Sequence, residues 1–233
     1  MVAMSDAPGS VVLLSGGLDS ATALAIACQE CGVCHSLTFD YGQRCQRELG
    51  CARRLADAMD VAEHHVVSIP LGEWGGSSLT DTSMPVPRNS GQEGDDGSIP
   101  NTYVPARNTI FLSYALAFAE SAGLDRIYAG ISSVDYSGYP DCRPEYVEAF
   151  QHLASLATRR GVMGNPVEIR VPLLDMSKAD AVRKGLELGV DYSLTHSCYD
   201  PDEAGRACGR CESCRLRLEA FEQAGATDPV EYA

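Results

Sequence analysis

The stretch Val11-Val12-Leu13-Leu14-Ser15-Gly16-Gly17-Leu18-Asp19-Ser20 decides how this chain folds. Its apolar first half has the character of a buried strand, and its second half begins a helix. The two adjacent glycines between them let the backbone approach an anion closely, because neither carries a Cβ atom. The free N–H groups of the first helical turn and the helix dipole add positive potential there. The stretch therefore predicts a strand, a phosphate-holding turn and a helix.

This turn differs from two widespread phosphate-binding loops. The chain lacks the Gly-x-x-x-x-Gly-Lys-Ser/Thr pattern of kinases and GTPases, and the glycine spacing is not the Gly-x-Gly-x-x-Gly of dinucleotide-binding folds. The stretch instead resembles the PP-loop of the ATP pyrophosphatases. That resemblance implies that the loop holds the pyrophosphate of ATP, with the ATP-binding residues Leu14, Ser15, Gly16, Gly17, Leu18, Asp19 and Ser20. The plainer alternative is an ordinary strand-to-helix turn with a Ser or Asp cap.

Apolar runs and helical patterns alternate along the rest of the chain. The apolar runs predict short buried strands at 11–15, 33–39, 66–69, 126–130 and 167–171. The helical patterns fall between them, at 19–30, 43–59, 107–122, 144–160 and 177–188. This alternation predicts an α/β fold with a doubly wound, five-stranded parallel sheet. Ligands of such sheets bind beyond the carboxyl ends of the strands, where the glycine turn would lie.

A cysteine motif near the C-terminus is the second strong signal. Its spacing is C-x9-C-x2-C-x2-C, formed by Cys198, Cys208, Cys211 and Cys214. Four closely spaced thiolates suit tetrahedral Zn²⁺ and leave no open position for a catalytic water, so we expect one structural zinc ion per chain. An iron–sulfur cluster is the sharper alternative. Disulfides are disfavoured in a cytosolic chain.

A second group of cysteines, Cys28, Cys31 and Cys34, has the same C-x2-C-x2-C spacing. These residues fall at the end of the first predicted helix and the start of the second strand. No fourth ligand is obvious, although His35, Cys45 and Cys51 are candidates. We expect the three cysteines to pack in the core, where cysteine behaves as a small hydrophobic residue.

Three polar clusters, at 40–44, 101–108 and 132–145, lie at strand or helix boundaries, where side chains can face a ligand. A purine-like base would use a carboxylate as acceptor and a tyrosine ring for stacking, and an arginine could hold a substrate carboxylate with two hydrogen bonds. The alternative for the third cluster is a solvated turn. The candidate substrate-binding residues from these clusters are Tyr41, Gln43, Arg44, Asp135, Tyr136, Asp141 and Arg143.

Three charged residues are candidates for the catalytic chemistry. Lys178 opens a predicted helix and is the better placed of the two lysines to stabilise negative charge developing on phosphate, while Arg107 is a second candidate. Asp19 would help to position Mg²⁺ bound to ATP, or would only cap the helix. The alternative for Lys178 is a solvated surface lysine.

Composition narrows the class of substrate. The net charge of −14 works against tight binding of nucleic acid, because such binding relies on Lys and Arg that neutralise phosphates. No apolar stretch approaches the length of a membrane span, and residues 1–9 are too short and polar for a secretory signal. We therefore expect a soluble, cytoplasmic protein with a small-molecule substrate, no membrane partner and no direct nucleic-acid partner.

The motifs together resemble those of the 7-cyano-7-deazaguanine synthase family over nearly the whole chain. The matching segments occur in the family's order: the PP-loop, 41–44, 105–108, 135–144, and 197–199 with the cysteines that follow. The resemblance implies conversion of 7-carboxy-7-deazaguanine, ammonia and ATP to the nitrile of queuosine-type deazapurine biosynthesis, through an adenylylated carboxylate and an amide. It also implies a homodimer. Cys45 stands where the family usually has His, so any role of that histidine is in doubt here.

The organisation that follows from these motifs is a PP-loop domain at 1–190 and a zinc-binding subdomain packed on it at 191–233. An insert near 72–100, rich in Gly, Ser, Asp and Pro, is predicted to be a mobile lid over the site. One alternative function is a PP-loop enzyme that modifies tRNA, of the thiolation or lysidine type, but the acidic charge disfavours it. Another is a non-catalytic zinc module whose loop only binds nucleotide.

Overall fold

The computed structural model describes residues 7–87, 99–132 and 138–233 of the chain. Within them, every strand pairing of the sheet is parallel, and the order across it is β3-β2-β1-β4-β5. The sheet comprises β1 (Gly9–Leu13), β2 (Val33–Asp40), β3 (Glu63–Ser68), β4 (Arg126–Ala129) and β5 (Glu168–Arg170). This arrangement confirms the predicted α/β fold with a five-stranded parallel sheet.

The helices that connect the strands lie close to the predicted positions. They are α1 (Leu18–Glu30), α2 (Arg47–Ala58), α3 (Arg107–Ala122), α4 (Pro144–Ala157), α5 (Arg159–Val162), α6 (Lys178–Glu187) and α7 (Glu212–Ala224). The predicted helix 144–160 ends early because the hydroxyl of Thr158 accepts a hydrogen bond from the N–H of Gly161 and caps the short α5. Helix α7 was not predicted from the sequence, because the cysteine motif overlaps the first residues of the helix and obscures its periodic pattern of apolar residues.

Two hydrophobic cores cover the two faces of the sheet. Successive residues of a strand point to opposite faces, so Val11 and Val12 enter different cores. Apolar residues of α3 and α4 fill the first core, and those of α1, α2, α6 and α7 fill the second. Phe221 of α7 belongs to the second core, so the C-terminal segment is packed on the sheet domain.

Residues 72–87, the first part of the predicted insert, are folded against the end of β2. The backbone N–H of Arg44 donates to the carbonyl oxygen of Leu79 at 2.7 Å, and its Nη1 donates to the carbonyl oxygen of Met84 at 3.2 Å. Ser77 and Ser78 are fully buried. Residues 88–98 lie outside the described residues, and the lid movement stays a prediction.

No helix in the described part of the chain has both the length and the apolar character needed to cross a membrane.

Candidate active site and metal centre

The glycine turn follows β1 at the carboxyl edge of the sheet, where parallel α/β folds bind ligands. Gly16 has a φ of +88°, in the left-handed region that favours glycine. A Cβ atom at this position would lie 2.8 Å from the backbone nitrogen of Ala52 and would also collide with the carbonyl oxygen of Glu48. The turn can therefore pack against α2 only because residue 16 has no side chain.

The loop holds its shape through serine hydroxyls and leaves the start of α1 open. The N–H of Gly17 donates to the Ser15 hydroxyl at 3.2 Å, and that hydroxyl contacts Ser20 Oγ at 3.0 Å. Gly17 is the N-cap of α1 and supplies no capping side chain. Because the first N–H groups of a helix have no carbonyl partner within it, they are available to an anion.

Asp19 and Lys178 meet at this helix start. The Nζ atom of Lys178, in the first residue of α6, lies 2.9 Å from Oδ2 of Asp19, and the two side chains are 11% and 29% exposed. The other carboxylate oxygen of Asp19 is buried and has no hydrogen-bond partner among the described residues. The pair thus presents both a cation and an unused carboxylate oxygen beside the loop.

Arg107 lies across the same cavity, at the first residue of α3. The preceding residue, Ala106, adopts φ +54° and ψ +20°, an unusual conformation for alanine. The guanidinium lies 5.9 Å from the centre of the Tyr41 ring. Although burial opposes its charge, the pKa of Arg107 is raised by Tyr41, Tyr139 and Asp141. The cavity wall therefore keeps a permanent positive charge.

Asp19, Arg107 and most of the glycine turn line one cavity of about 250 Å³, which has apolar residues of β2 and α3 among its walls. Gly16 and Lys178 are not among the lining residues. The cavity brings together predicted residues that are far apart in sequence: Leu14, Ser15, Gly17, Leu18, Asp19, Ser20, Tyr41, Gln43, Arg44 and Arg107. Residues that were not predicted to belong to the site also line it: Cys45, Glu48, Asn108, Cys142, His196, Ser197, Tyr199 and Ser213. Asn108, Cys142, Ser197 and Tyr199 fall in segments that the sequence had marked, but only the fold brings them to the cavity.

The Gln43 side chain stabilises a backbone turn beside this cavity. Its Oε1 accepts a hydrogen bond from the N–H of Tyr41 at 2.8 Å, and its Nε2 donates to the carbonyl oxygen of Phe39 at 3.1 Å. The side chain thereby closes the turn after β2, which explains why α2 begins at Arg47 rather than at residue 43 as predicted. We expect Gln43 to shape the pocket through this turn.

Two of the remaining predicted substrate residues, Asp141 and Arg143, do not line this cavity but a second, open hollow. The other two, Asp135 and Tyr136, lie outside the described residues. A carboxylate oxygen of Asp141 accepts the backbone N–H of Asn108 at 3.1 Å, so it caps the start of α3. The guanidinium of the exposed Arg143 donates to the carbonyl oxygen of Pro140 at 3.3 Å.

Glu48 is the most unusual of the missed residues. It lies in the first turn of α2, half-buried in the cavity wall. Burial raises the pKa of its carboxyl to about 8, even though the nearby charge of Arg107 acts in the opposite direction. A signal existed in the sequence, since a carboxylate four residues after Arg44 extends the polar cluster at 40–44 by one helical turn.

The four C-terminal cysteines converge as their spacing predicts. Their Sγ atoms all lie within 4.8 Å of one another, and the group formed by Cys198, Cys208, Cys211 and Cys214 could hold a metal ion. Backbone N–H groups of Cys208 and Cys211 donate to the Sγ atoms of Cys198 and Cys208 at 3.2 and 3.3 Å. Such N–H···S contacts favour thiolates, the form that binds metal.

A short segment, 195–198, joins this cysteine cluster to the phosphate loop. The N–H of His196 donates to the carbonyl oxygen of Gly16 at 2.9 Å, and the Ser197 hydroxyl lies 3.5 Å from the N–H of Leu18. Arg217 of α7, paired with Asp228 at 2.7 Å, donates to the side chain of Thr195 at 2.7 Å. The next residue, Cys198, belongs to the cluster.

The second cysteine group behaves as predicted. Among the described residues, only the C-terminal cluster brings three or more metal-binding side chains together. Cys31 and Cys34 are buried in the core, where they contact Tyr128 and Ser10, and Cys28 packs beside them.

Comparison with known proteins places these features in a family context. A family model described as "Queuosine biosynthesis protein QueC" matches residues 9–225. A curated 7-cyano-7-deazaguanine synthase of Azoarcus sp. (strain BH72) is 55% identical over 98% of this chain and 99% of its own length. One of Frankia casuarinae is 58% identical over 96% of this chain and 93% of its own length. The solved NMN synthetase from Francisella tularensis resembles the fold, with a TM-score of 0.51 and 17% identity over 95% of this chain and 79% of that structure.

Proposed function

This chain belongs to the QueC family of queuosine biosynthesis proteins, and from that membership we propose that it converts 7-carboxy-7-deazaguanine, ammonia and ATP to 7-cyano-7-deazaguanine. It is then an ATP-dependent carbon–nitrogen ligase. The observation that carries the proposal is a cavity lined by the open start of α1, by Asp19, which is paired with Lys178, and by Arg107.

The first half of the reaction activates a carboxylate. A carboxylate is a poor electrophile, but an acyl adenylate carries a good leaving group. The substrate oxygen forms a bond to the α-phosphorus of ATP, and the bond to the bridging oxygen breaks and releases pyrophosphate. The N–H groups of Asp19 and Ser20 would hold that pyrophosphate, and Lys178 and Arg107 would stabilise the developing negative charge.

The second half installs nitrogen without an enzyme nucleophile. Ammonia attacks the activated carbon and AMP leaves, which gives the amide. A second ATP activates the amide oxygen, and loss of AMP with protons from nitrogen gives the nitrile. Because the carbon is already activated, the protein contributes mainly orientation and electrostatics.

Two metal ions fit the residues. The buried, unpartnered oxygen of Asp19 is suited to Mg²⁺, which would neutralise charge on the phosphates of ATP. The four thiolates suit a structural Zn²⁺, one per chain, held by Cys198, Cys208, Cys211 and Cys214. We propose that this zinc organises residues 191–233 as a subdomain on the PP-loop domain of 1–190.

Tyr41 and Arg44 line the cavity and are proposed to contact the deazaguanine acid. Asp135, Tyr136, Asp141 and Arg143 stay proposed substrate residues, of which Asp141 and Arg143 would act from the second hollow. We also propose a homodimer that works in the cytoplasm. The family membership and the net charge of −14 both argue against the alternative function, an enzyme that modifies tRNA.

The direct test incubates purified protein with ATP, Mg²⁺, ammonium and 7-carboxy-7-deazaguanine, and follows the base by mass spectrometry. We expect amide first and nitrile later, with pyrophosphate released only when the acid is present. A folded, zinc-containing protein that releases no pyrophosphate would instead be a binding module.

A further inference from the structure

Glu48 offers the cavity a carboxylate that is engaged with no other side chain among the described residues. Among the described residues that line the cavity, only Asp19 and Glu48 carry carboxylates, and Asp19 is paired with Lys178. The Glu48 side chain makes no hydrogen bond or ion pair with any residue in the described part of the chain. The backbone of Glu48 lies next to the phosphate loop, because its carbonyl oxygen packs against the Gly16 turn.

The groups that face Glu48 come from three elements. Arg107 faces it from α3, Tyr41 from the end of β2, and Cys45 and Cys51 from the turn before α2 and from α2 itself. Burial raises the pKa of Tyr41 and Cys51 above their ordinary values and that of Cys45 to about 11, so these three stay neutral near pH 7. Arg107 stays charged, which leaves Glu48 as the group of this set that changes protonation near neutrality.

The proposed reaction needs such a group. At neutral pH ammonia exists mostly as ammonium, which has no lone pair and cannot attack an acyl carbon. A carboxylate attracts ammonium through charge-assisted hydrogen bonds. When the pKa of that carboxyl lies near the working pH, it can also take a proton from the bound ion.

We propose that Glu48 is the ammonium-binding carboxylate of this enzyme, which takes up ammonium in the cavity and removes the proton that prevents its attack on the adenylate. This assignment rests on the proposed function and adds the site of its nitrogen substrate.

In the proton-transfer step, Glu48 becomes the carboxylic acid and ammonia is freed. The nitrogen lone pair forms the bond to the acyl carbon, and the bond from that carbon to the AMP oxygen breaks with its electrons on AMP. The nitrogen loses one further proton, so acyl adenylate and ammonium give amide, AMP and two protons.

The test compares Glu48→Gln with Asp57→Asn, which removes an exposed carboxylate from the same helix outside the cavity. Three activities are measured: exchange of pyrophosphate into ATP with the acid but no ammonia, amide formation at varied ammonium and constant ionic strength, and hydroxamate formation with hydroxylamine. Hydroxylamine is mostly unprotonated at neutral pH, so it attacks without losing a proton first.

We expect E48Q to keep pyrophosphate exchange and hydroxamate formation within about twofold of wild type, while kcat/KM for ammonium falls about 100-fold. For the wild type, kcat/KM for total ammonium should rise as Glu48 ionises and level off above about pH 8. E48Q should instead follow the free ammonia fraction, which keeps rising above that pH because ammonium has a higher pKa than Glu48. D57N should match the wild type throughout.

Three results would overturn the assignment, and they differ from one another. Equal loss of exchange, hydroxamate and amide formation in E48Q would mean that Glu48 supports activation or folding. An unchanged kcat/KM for ammonium would mean that nitrogen is handled elsewhere. A wild-type protein without acid-dependent exchange would overturn the proposed function itself, and the role of Glu48 with it.

Discussion

At the scale of single residues, the phosphate loop depends on a backbone conformation that only glycine adopts without strain. Gly16 combines a positive φ with close contact to α2, whereas Gly123, the C-cap of α3, has a φ of +71° and open space around it. At both positions the positive φ makes any side chain unfavourable. Only at Gly16 would the side chain also collide with neighbouring atoms of α2.

These two glycines allow a matched stability measurement. We expect Gly123→Ala to lower the free energy of unfolding by about 1 kcal/mol, the cost of left-handed alanine. Gly16→Ala should cost about 3 kcal/mol or more, because α2 must also shift. Chemical denaturation monitored by circular dichroism measures both values, and equal costs would contradict the close packing of the loop on α2.

Substitution of each of the two lysines of the chain distinguishes a catalytic role from an effect of surface charge. Lys178 is 11% exposed and paired with Asp19, while Lys184 on the same helix is 35% exposed and lies 4.0 Å from Glu187. We expect Lys178→Ala to reduce acid-dependent pyrophosphate exchange about 100-fold, because it removes a charge from the transition state and leaves Asp19 unpaired. Lys184→Ala should retain nearly full exchange. Comparable losses of exchange in both variants would mean that Lys178 contributes only to the overall positive charge.

At the scale of elements, the segment 195–198 connects the cysteine cluster to the proposed nucleotide site. Its backbone and hydroxyl contacts reach Gly16 and Leu18, and its last residue, Cys198, is a proposed metal ligand. We therefore expect a change in the cysteine cluster to displace the loop without any direct contact with ATP.

Cysteine substitutions test this coupling. Cys211→Ser should lose the zinc and weaken ATP binding about tenfold, because the segment 195–198 is released. Cys28→Ser should keep about one zinc per chain, since Cys28 only packs in the second core. Metal analysis by mass spectrometry and calorimetric titration with ATP provide the two readouts. Iron in the wild type, or undiminished ATP affinity in the metal-free variant, would contradict the expectation.

At the scale of the whole molecule, Glu48 links stability to pH. Its carboxyl has a pKa of about 8 in the folded protein, against an ordinary value of 4.5 when the chain is unfolded. Between these values the folded state binds the extra proton, so the free energy of unfolding falls as pH rises and levels off above pH 8.

Glutamine at position 48 removes this dependence. We expect the difference in unfolding free energy between E48Q and wild type to grow from pH 5 to pH 8 in favour of the variant. The comparison cancels the titration of His64 and His196, whose pKa values are lowered by burial in both proteins. Denaturation midpoints measured at several pH values give the difference, and a pH-independent difference would show that the folded carboxyl titrates normally.

Much of the fold and the loop could be predicted from local sequence. The apolar run before Ser15 and the glycine pair after it specify strand, turn and helix through backbone sterics alone. Close spacing likewise predicts the candidate metal site, because Cys208, Cys211 and Cys214 are near one another in the chain and can meet with few contacts from distant elements. The start of α2 was misplaced, since the Gln43 side chain hydrogen bonds that close the preceding turn are invisible to helical periodicity.

The parallel α/β class, the phosphate loop, the cysteine cluster and the resemblance to a deazaguanine-forming family are each encoded by residues close together in the chain, so local sequence is enough to predict them. Only the tertiary structure paired Lys178 with Asp19 across 159 positions. It also turned Asp141 towards the start of α3 and set Glu48 in the cavity wall beside Arg107. The physical reason is that charge, burial and pKa depend on neighbours in space, which the order of elements across the sheet decides.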